Sequence, residues 1–349
     1  MSPPSRDTAG SGPLAARGIR ARVLLWTAVF GCLMAAAVLG APLVCSTRID
    51  LWHALDRSVP FADNVDAQIF FIARLPRVLA AALVGSALAA AGVVLQALLR
   101  NPLATPFTLG VSAGAALGAM LAMSLRLQVS VLGVSAVTGA SFAGSLCAVG
   151  IVYALARARR RGFSTDVLLL AGVTLNSFFS ALILLVQYLS DPSETLRTVR
   201  WLMGDLAVSS YTPIVAALPL LLLAGAVFAW LPRALNLLSL DADAAAARGV
   251  HVVRAQQLSF FSASVATGAA VSLGGPIGFV GIVVPHLVRL MTGADHRVVL
   301  PASALFGAAF LIACDLVART VMAPLELPVG IITAIIGGPF FLWLLIRHR

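Results

Sequence analysis

The sequence predicts an all-α protein that crosses a lipid bilayer about ten times within one domain. Of its 349 residues, 60% are hydrophobic and only 11% are charged, and the mean hydropathy is +0.98. Soluble domains carry about 25% charged residues and roughly 45–50% apolar ones. A spanning helix needs about 20 apolar residues, so about ten such helices account for most of the apolar content. We therefore expect a polytopic membrane protein.

The first five predicted spans are apolar runs separated by clusters of Arg, Pro and Gly. The first run has Pro42 near its end, and the third contains Gly110, Gly114 and Gly118 at four-residue spacing. This spacing allows helices to pack closely, which matters in a membrane because lipid provides no hydrophobic driving force for helix association. The predicted ranges are 23–45, 75–99, 106–124, 129–155 and 166–189.

The last five spans are predicted at 212–231, 256–274, 276–291, 300–320 and 329–346. Only Gly274, Gly275 and Pro276 separate the seventh from the eighth, so one kinked helix across this junction would leave nine spans. The ninth span contains Asp315 and Arg319, four residues apart with the acid first. This order favours a helical ion pair, which would offset the cost of placing charge within a membrane.

The distribution of arginine predicts the orientation of the chain. With ten spans, 16 of the 24 Arg fall on one set of connecting segments, and acidic residues favour the other set. The positive-inside rule places the arginine-rich set in the cytoplasm, together with both termini. We expect residues 1–22 to form a basic, disordered tail and residues 23–349 to form a single transmembrane domain.

A polar segment predicted to be cytoplasmic, residues 233–254, contains a short helix signal. Asp241 is a good N-cap, alanines from Ala244 to Ala247 propagate a helix, and Gly249 favours its end. The segment is either an ordered connector or a docking element for a partner.

The absence of lysine excludes ATP hydrolysis by this chain as a source of energy. All 24 basic residues are Arg, and the phosphate-binding loop of P-loop ATPases requires a Lys. If ATP drives this protein, another chain hydrolyses it. The net charge of +10 is scattered over loops, so we expect no nucleic-acid partner.

Two enzymatic hypotheses receive little support from the residues. The segment GVSAG matches the nucleophile-elbow pattern at Ser112, but it lies in a glycine-rich helix rather than a strand–turn–helix context. His286 and His296 lack the spacing of a metal site, and no HExxH occurs. We therefore predict no catalytic residues and no metal ligands. A proton-coupled secondary carrier stays open, although Asp315 is the only carboxylate within a span.

Arg74 and Arg77 begin the second span at its predicted outer end. Two arginines oppose the dipole of a helix N-terminus, so another interaction must favour them. They either anchor to lipid headgroups or face an external acidic partner.

Five stretches resemble the permease subunits of type II ABC importers, the FecCD-like family that takes up ferric siderophores, haem and cobalamin. They are residues 74–119 (beginning RLPRVLAAALVG), 168–181 (LLLAGVTLNSFFSA), 201–206 (WLMGDL), 274–297 (GGPIGFVGIVVPHLVRLMTGADHR) and 326–345 (ELPVGIITAIIGGPFFLWLL). Their length and order cover nearly everything after residue 70.

The resemblance implies a homodimer in the bacterial cytoplasmic membrane, with two ATP-binding cassette subunits beneath it and a periplasmic or lipid-anchored binding protein above it. ATP and Mg²⁺ would bind the ATPase subunits, with no cofactor on this chain. The cargo would be an iron chelate (ferric siderophore or haem), with cobalamin as the alternative.

The resemblance also assigns residues to roles. Arg74, Arg77 and Arg319 match arginines that pair with acids of the binding protein. Residues 239–249 match the cytoplasmic helix that contacts the ATPase, and Ser164 with Thr165 match a cytoplasmic gate. Asp166 in this gate stands where relatives often carry an uncharged residue. The coupling residues are Leu240, Asp241, Ala244, Ala245, Arg248 and Gly249.

Overall fold

Ten long helices dominate the computed structural model, which describes residues 13–44, 49–56, 58–127, 129–131, 133–158, 165–208 and 210–347. They are α1 (Pro13–Gly40), α4 (Leu75–Leu98), α5 (Val111–Ser124), α6 (Ala136–Ala158), α7 (Thr165–Leu189), α9 (Thr212–Trp230), α12 (Val252–Gly274), α13 (Val280–Thr292), α14 (His296–Thr320) and α15 (Val329–Arg347). The predicted all-α class is confirmed.

Short elements connect these helices. They are α2 (Leu51–Ala54), α3 (Val65–Gln68), a π-helical segment (Ile69–Arg74), α8 (Pro192–Leu202), α10 (Pro232–Leu238) and α11 (Ala242–Ala247). Two strands, β1 (Ser130–Val131) and β2 (Val134–Ser135), pair antiparallel as a small hairpin. We call the end where α4 begins and α14 ends the outer end, and the end that carries α11 the inner end.

Helix ends differ from the predicted spans where local chemistry stops or extends the helix. Helix α1 already begins at Pro13, so residues 13–22 are helical rather than part of a disordered tail. Proline is well tolerated in the first turn, and the alanine and arginine residues that follow favour a helix. The rest of the predicted tail, residues 1–12, lies outside the described residues. Helix α5 begins five residues later than predicted, after Gly110, whose φ of +74° is left-handed.

The junction of the seventh and eighth spans is a break between two helices. Helix α12 ends at Gly274, and Gly275 follows with φ +68°. A Cβ at Gly275 would lie 2.5 Å from the carbonyl oxygen of Trp201. Glycine is therefore required both for the backbone angle and for the close approach. Ten long helices therefore occur among the described residues, and the alternative of one kinked helix across this junction is wrong.

The packing centre is α4, which contacts α9, α12, α13 and α14. Small residues line these contacts: a Cβ at Gly85 would lie 2.2 Å from the Gly307 carbonyl oxygen, and one at Gly92 would lie 2.1 Å from that of Gly281. Backbones at such distances pack by van der Waals contact, as in other membrane bundles.

Among the described residues, six helical stretches are long and apolar enough to cross a membrane, and three shorter helices are also apolar. Helix α12 has the length of a span but begins with the polar sequence around Arg254. Most of its second half is buried against neighbouring helices, so the bundle rather than lipid surrounds it.

Candidate functional site

A cluster of buried charges lies at the outer end, where α4 and α14 meet. Arg77 donates from Nε to Asp315 Oδ1 at 2.9 Å and from Nη1 to Glu326 Oε2 at 2.6 Å. Arg319 Nε lies 3.1 Å from Asp315 Oδ2, an ion pair without hydrogen-bond alignment. Asp315 is 1% exposed and sits between the two guanidinium groups. We call Arg74, Arg77, Asp315, Arg319 and Glu326 the outer charge cluster.

The outer charge cluster also holds the end of α1. Arg74 donates to the Pro42 carbonyl oxygen at 2.7 Å, and Arg319 Nη2 lies 3.4 Å from that of Ala41. These carbonyls follow the C-terminus of α1. The arginines therefore tie three separate stretches of the chain together at one membrane face.

The side chains of Arg74, Arg77 and Arg319, which the resemblance matches to the binding protein, are buried in the structure. They are 3%, 8% and 3% exposed, respectively. A buried guanidinium requires a compensating partner, and Asp315, Glu326 and two backbone carbonyls supply them. Arg77 has internal acidic partners that its sequence neighbourhood did not indicate. The role of these arginines in docking stays a prediction.

The short helix α11 has the caps that its sequence predicts. Asp241 Oδ2 accepts a hydrogen bond from the Ala244 amide at 3.4 Å, and Gly249 has φ +81° just after the helix. Arg100 donates to the Leu238 carbonyl oxygen at 2.9 Å, which links the end of α4 to this segment.

One predicted coupling residue does not lie on the surface. Ala245 is 0% exposed and packs with Leu238 and Ala255. Its methyl group fills the space between α11 and the bundle. In contrast, Leu240 is 68% exposed, and Asp241, Arg248 and Gly249 are exposed too. Asp243, Ala246 and Ala247 are exposed as well, so Ala245 is the one buried residue of the 239–249 segment.

The predicted gate is described only in part. Ser164 lies outside the described residues, and Thr165 is the first residue of α7. Asp166 follows in the first turn and is exposed. An acidic residue is favourable there because it complements the dipole of the helix N-terminus.

The glycines of the third span form the contact between α5 and α6. A Cβ at Gly114 would lie 2.6 Å from the Gly144 carbonyl oxygen, and one at Gly118 would lie 2.1 Å from that of Ala140. Gly110 packs instead near α7, with the Gly172 carbonyl oxygen 3.3 Å from an added Cβ. Ser112 is 2% exposed on α5, away from any strand–turn–helix element in the described chain.

Several polar contacts at the inner end have no counterpart in the sequence analysis. Gln96 donates to the Gly281 carbonyl oxygen at 2.9 Å and accepts from Arg289 at 2.6 Å. Asn236 donates to Asp295 at 2.8 Å. Hydrogen bonds from Arg297 and then from Asn236 hold the pKa of the Asp295 carboxyl below its ordinary value. The Gln96–Arg289 and Asn236–Asp295 pairs are far apart in sequence, and no local spacing indicates them.

Within the described residues, no group of three or more His, Cys, Asp or Glu side chains is arranged to hold a metal ion. The described residues form instead a bundle of apolar helices with a short exposed segment at the inner end and buried charges at the outer end. Together these features define a multi-pass helical membrane protein.

Comparison with known proteins identifies the family. The chain belongs to the FecCD transport family, whose sequence model matches residues 29–347. It is 41% identical over 300 residues to an uncharacterised ABC transporter permease, YvrB of Bacillus subtilis (strain 168), with 85% of each chain covered. It is also 41% identical to the hemin transport system permease HmuU of Yersinia pestis, over 87% of this chain and 86% of that protein.

A solved structure shares the fold. It is described as an inward-facing conformation of a metal-chelate type ABC transporter. The TM-score is 0.80 at 33% identity, and the match covers 92% of this chain and 98% of that one. The helical arrangement described above is therefore that of an ABC permease.

Proposed function

We propose that this chain is the permease subunit of an ATP-driven importer that moves an iron chelate, either a ferric siderophore or haem, into the cytoplasm. The observation that carries this proposal is the family match over residues 29–347. Relatives named for hemin and iron chelatin transport, the latter a Helicobacter pylori permease 41% identical over 276 residues, favour an iron chelate.

Cobalamin is the alternative cargo. A cobalamin import permease, BtuC of Halobacterium salinarum, is 46% identical over 273 residues, covering 78% of this chain and 72% of that protein. Identity to the hemin and cobalamin relatives is similar, so sequence similarity alone does not rank the two cargoes.

In the proposed assembly, two copies of the chain form the transport path in the bacterial cytoplasmic membrane, with both termini in the cytoplasm. Two ATPase subunits bind the inner end. The exposed residues of the 239–249 segment would contact the ATPase, and the buried Ala245 would fix α11 to the bundle. Movement of the ATPase would then pass through α11 to α10 and α12, which α11 contacts.

A periplasmic or lipid-anchored binding protein would deliver the cargo at the outer end. In this proposal an acidic side chain of the binding protein replaces Glu326 beside Arg77. Glu326 is the exchangeable partner because its side chain is 44% exposed, whereas that of Asp315 is 1% exposed.

A secondary carrier, the alternative from another class, needs a carboxylate that gains and loses a proton during transport. Among the described acidic residues, only Asp315 is buried. It is paired with both Arg77 and Arg319, so each of its carboxylate oxygens already faces a guanidinium group. This arrangement suits a static ion cluster better than a proton carrier.

The test is reconstitution. The purified chain alone should hydrolyse no ATP above background, because it has no lysine for a phosphate-binding loop. With its ATPase and binding protein in proteoliposomes, it should take up a ferric siderophore or haem only when ATP is present. Cyanocobalamin serves as the comparison cargo. ATP hydrolysis by the chain alone, or uptake that needs a proton gradient and no ATP, would overturn the proposal.

A further inference from the structure

A large open basin lies at the outer end, away from the outer charge cluster. Its volume is about 1020 Å³, at the upper end of the range of small-molecule sites. Its walls come from the end of α5, the β1–β2 hairpin, the start of α6, α8, residues 205–213 and the end of α12. The basin is therefore built from several elements that the fold brings to one membrane face.

Helix α8 contributes two arginines to this basin. Arg197 and Arg200 lie one turn apart on α8, line the basin and are exposed. Neither makes a hydrogen bond or ion pair with a side chain that the structure describes. The third arginine of the lining, Arg126, is bonded to Asp191. Asp205 lines the basin as its one described acid, so Arg197 and Arg200 give it a net positive charge.

The wall that carries these arginines is held firmly. The Asp205 amide donates to the Gly274 carbonyl oxygen at 2.9 Å, and Asp205 Oδ1 accepts from the Ala207 amide at 2.8 Å. Gly204 has φ +82°, which turns the chain sharply after α8. The close approach of Trp201 to Gly275 fixes the same turn. Helix α8, which carries Arg197 and Arg200, is therefore held in a fixed position by the turn that follows it.

The rest of the lining suits an organic ligand with hydrogen-bonding groups. Hydroxyl side chains line the basin from four elements, and the indole of Trp201 provides a partly buried aromatic surface. The hydroxyl residues are Ser130, Ser135, Thr138, Ser210 and Ser272. A small inorganic anion would fill little of this volume. A bulky anion with polar edges fits its size, charge and lining.

We infer that this basin is a receiving site for an anionic metal chelate, whose ionised groups contact Arg197 and Arg200. The inference rests on the proposed function and narrows its substrate class to chelates that carry net negative charge, such as a ferric tris-catecholate. A neutral chelate lacks the charge that the two arginines would bind.

The experiment measures binding to the full chain in nanodiscs, without ATPase or binding protein. The probes are a ferric tris-catecholate, which is anionic, and a ferric tris-hydroxamate, which is neutral and carries the same metal. We expect the anionic chelate to bind at least about tenfold more tightly, as a single charge-assisted contact allows. Raising salt from about 0.05 M to about 0.5 M should weaken this binding, since screening acts on exposed charges.

The double variant Arg197→Gln, Arg200→Gln should remove the preference for the anionic chelate. Both side chains are exposed, so the fold should tolerate the change. The control is Arg233→Gln, Arg254→Gln, which removes the same charge from exposed positions at the inner end and should bind as the wild type does.

Two outcomes would overturn the inference. They are equal binding of both chelates by the wild type and undiminished preference for the anionic chelate in the double variant. Because no ATP is used, these outcomes are distinct from failure of ATP-driven uptake, which tests the proposed function.

Discussion

Single residues at the outer end show how a membrane protein keeps charge inside its bundle. Asp315 accepts interactions from Arg77 and Arg319 together. Removing one partner of a buried ion pair costs more than the pair itself contributes, because the remaining charge is left uncompensated. The outer charge cluster should therefore behave as one unit whose centre is Asp315.

We predict that Asp315→Asn lowers the free energy of unfolding by about 3 kcal/mol, the lower part of the range for breaking a buried pair. Arg77 keeps Glu326, whereas Arg319 loses its carboxylate. Thermal unfolding in detergent measures the effect. Asp191→Asn is the control, since its pair with Arg126 is exposed on both sides and should contribute about 0–1 kcal/mol. Equal losses in both variants would show that the cluster does not stabilise the fold.

The ion pairs between residues far apart in sequence were the least predictable part of the site. The Asp315–Arg319 pair could be predicted because four residues place both on one helix face. Arg77 and Asp315 are 238 positions apart in sequence, and only the contact between α4 and α14 joins them. The same limit explains why the burial of Arg77 could not be predicted from the sequence.

At the scale of helices, apolar length and glycine spacing were strong predictors. Ten helices follow the ten apolar runs, since each run must satisfy its backbone hydrogen bonds within the membrane. Helix ends were less accurate, because glycine angles and the β1–β2 hairpin shorten α5 and α6 at their N-termini. The positions where helix backbones touch became visible only in three dimensions.

The contact between α5 and α6 yields a prediction with a matched control. In Gly118→Ala the new methyl group would lie 2.1 Å from the Ala140 carbonyl oxygen, so the helices must separate. We expect a loss of about 1–3 kcal/mol, typical of overpacking. Gly150→Ala on α6 adds the same group where nothing lies within 4 Å, and it should be neutral or stabilising by up to about 1 kcal/mol. Equal thermal midpoints for the two variants would contradict the packing role of Gly118.

At the scale of the whole molecule, transport requires that events at the inner end reach the rest of the bundle. Helix α11 is well placed for this because it contacts both α10 and α12. The sequence predicted its location and caps correctly, since these depend on neighbouring residues. It did not show which alanines face the bundle, because α11 is short and nearly uniform in composition.

Substitutions on the two sides of this segment should separate folding from coupling. Leu240→Asp changes a side chain that is 68% exposed, so the thermal midpoint should stay unchanged. If an ATPase subunit buries Leu240, losing about 1.5–3 kcal/mol of apolar contact should lower ATP-driven uptake by about tenfold or more.

Ala245→Arg should instead lower the thermal midpoint, because Ala245 is 0% exposed and its site has no room for a long charged side chain. Val253→Asp is the control for Leu240, being 57% exposed at the same end but outside residues 239–249. Wild-type uptake in Leu240→Asp would show that the exposed end of the segment is a connector rather than the coupling contact.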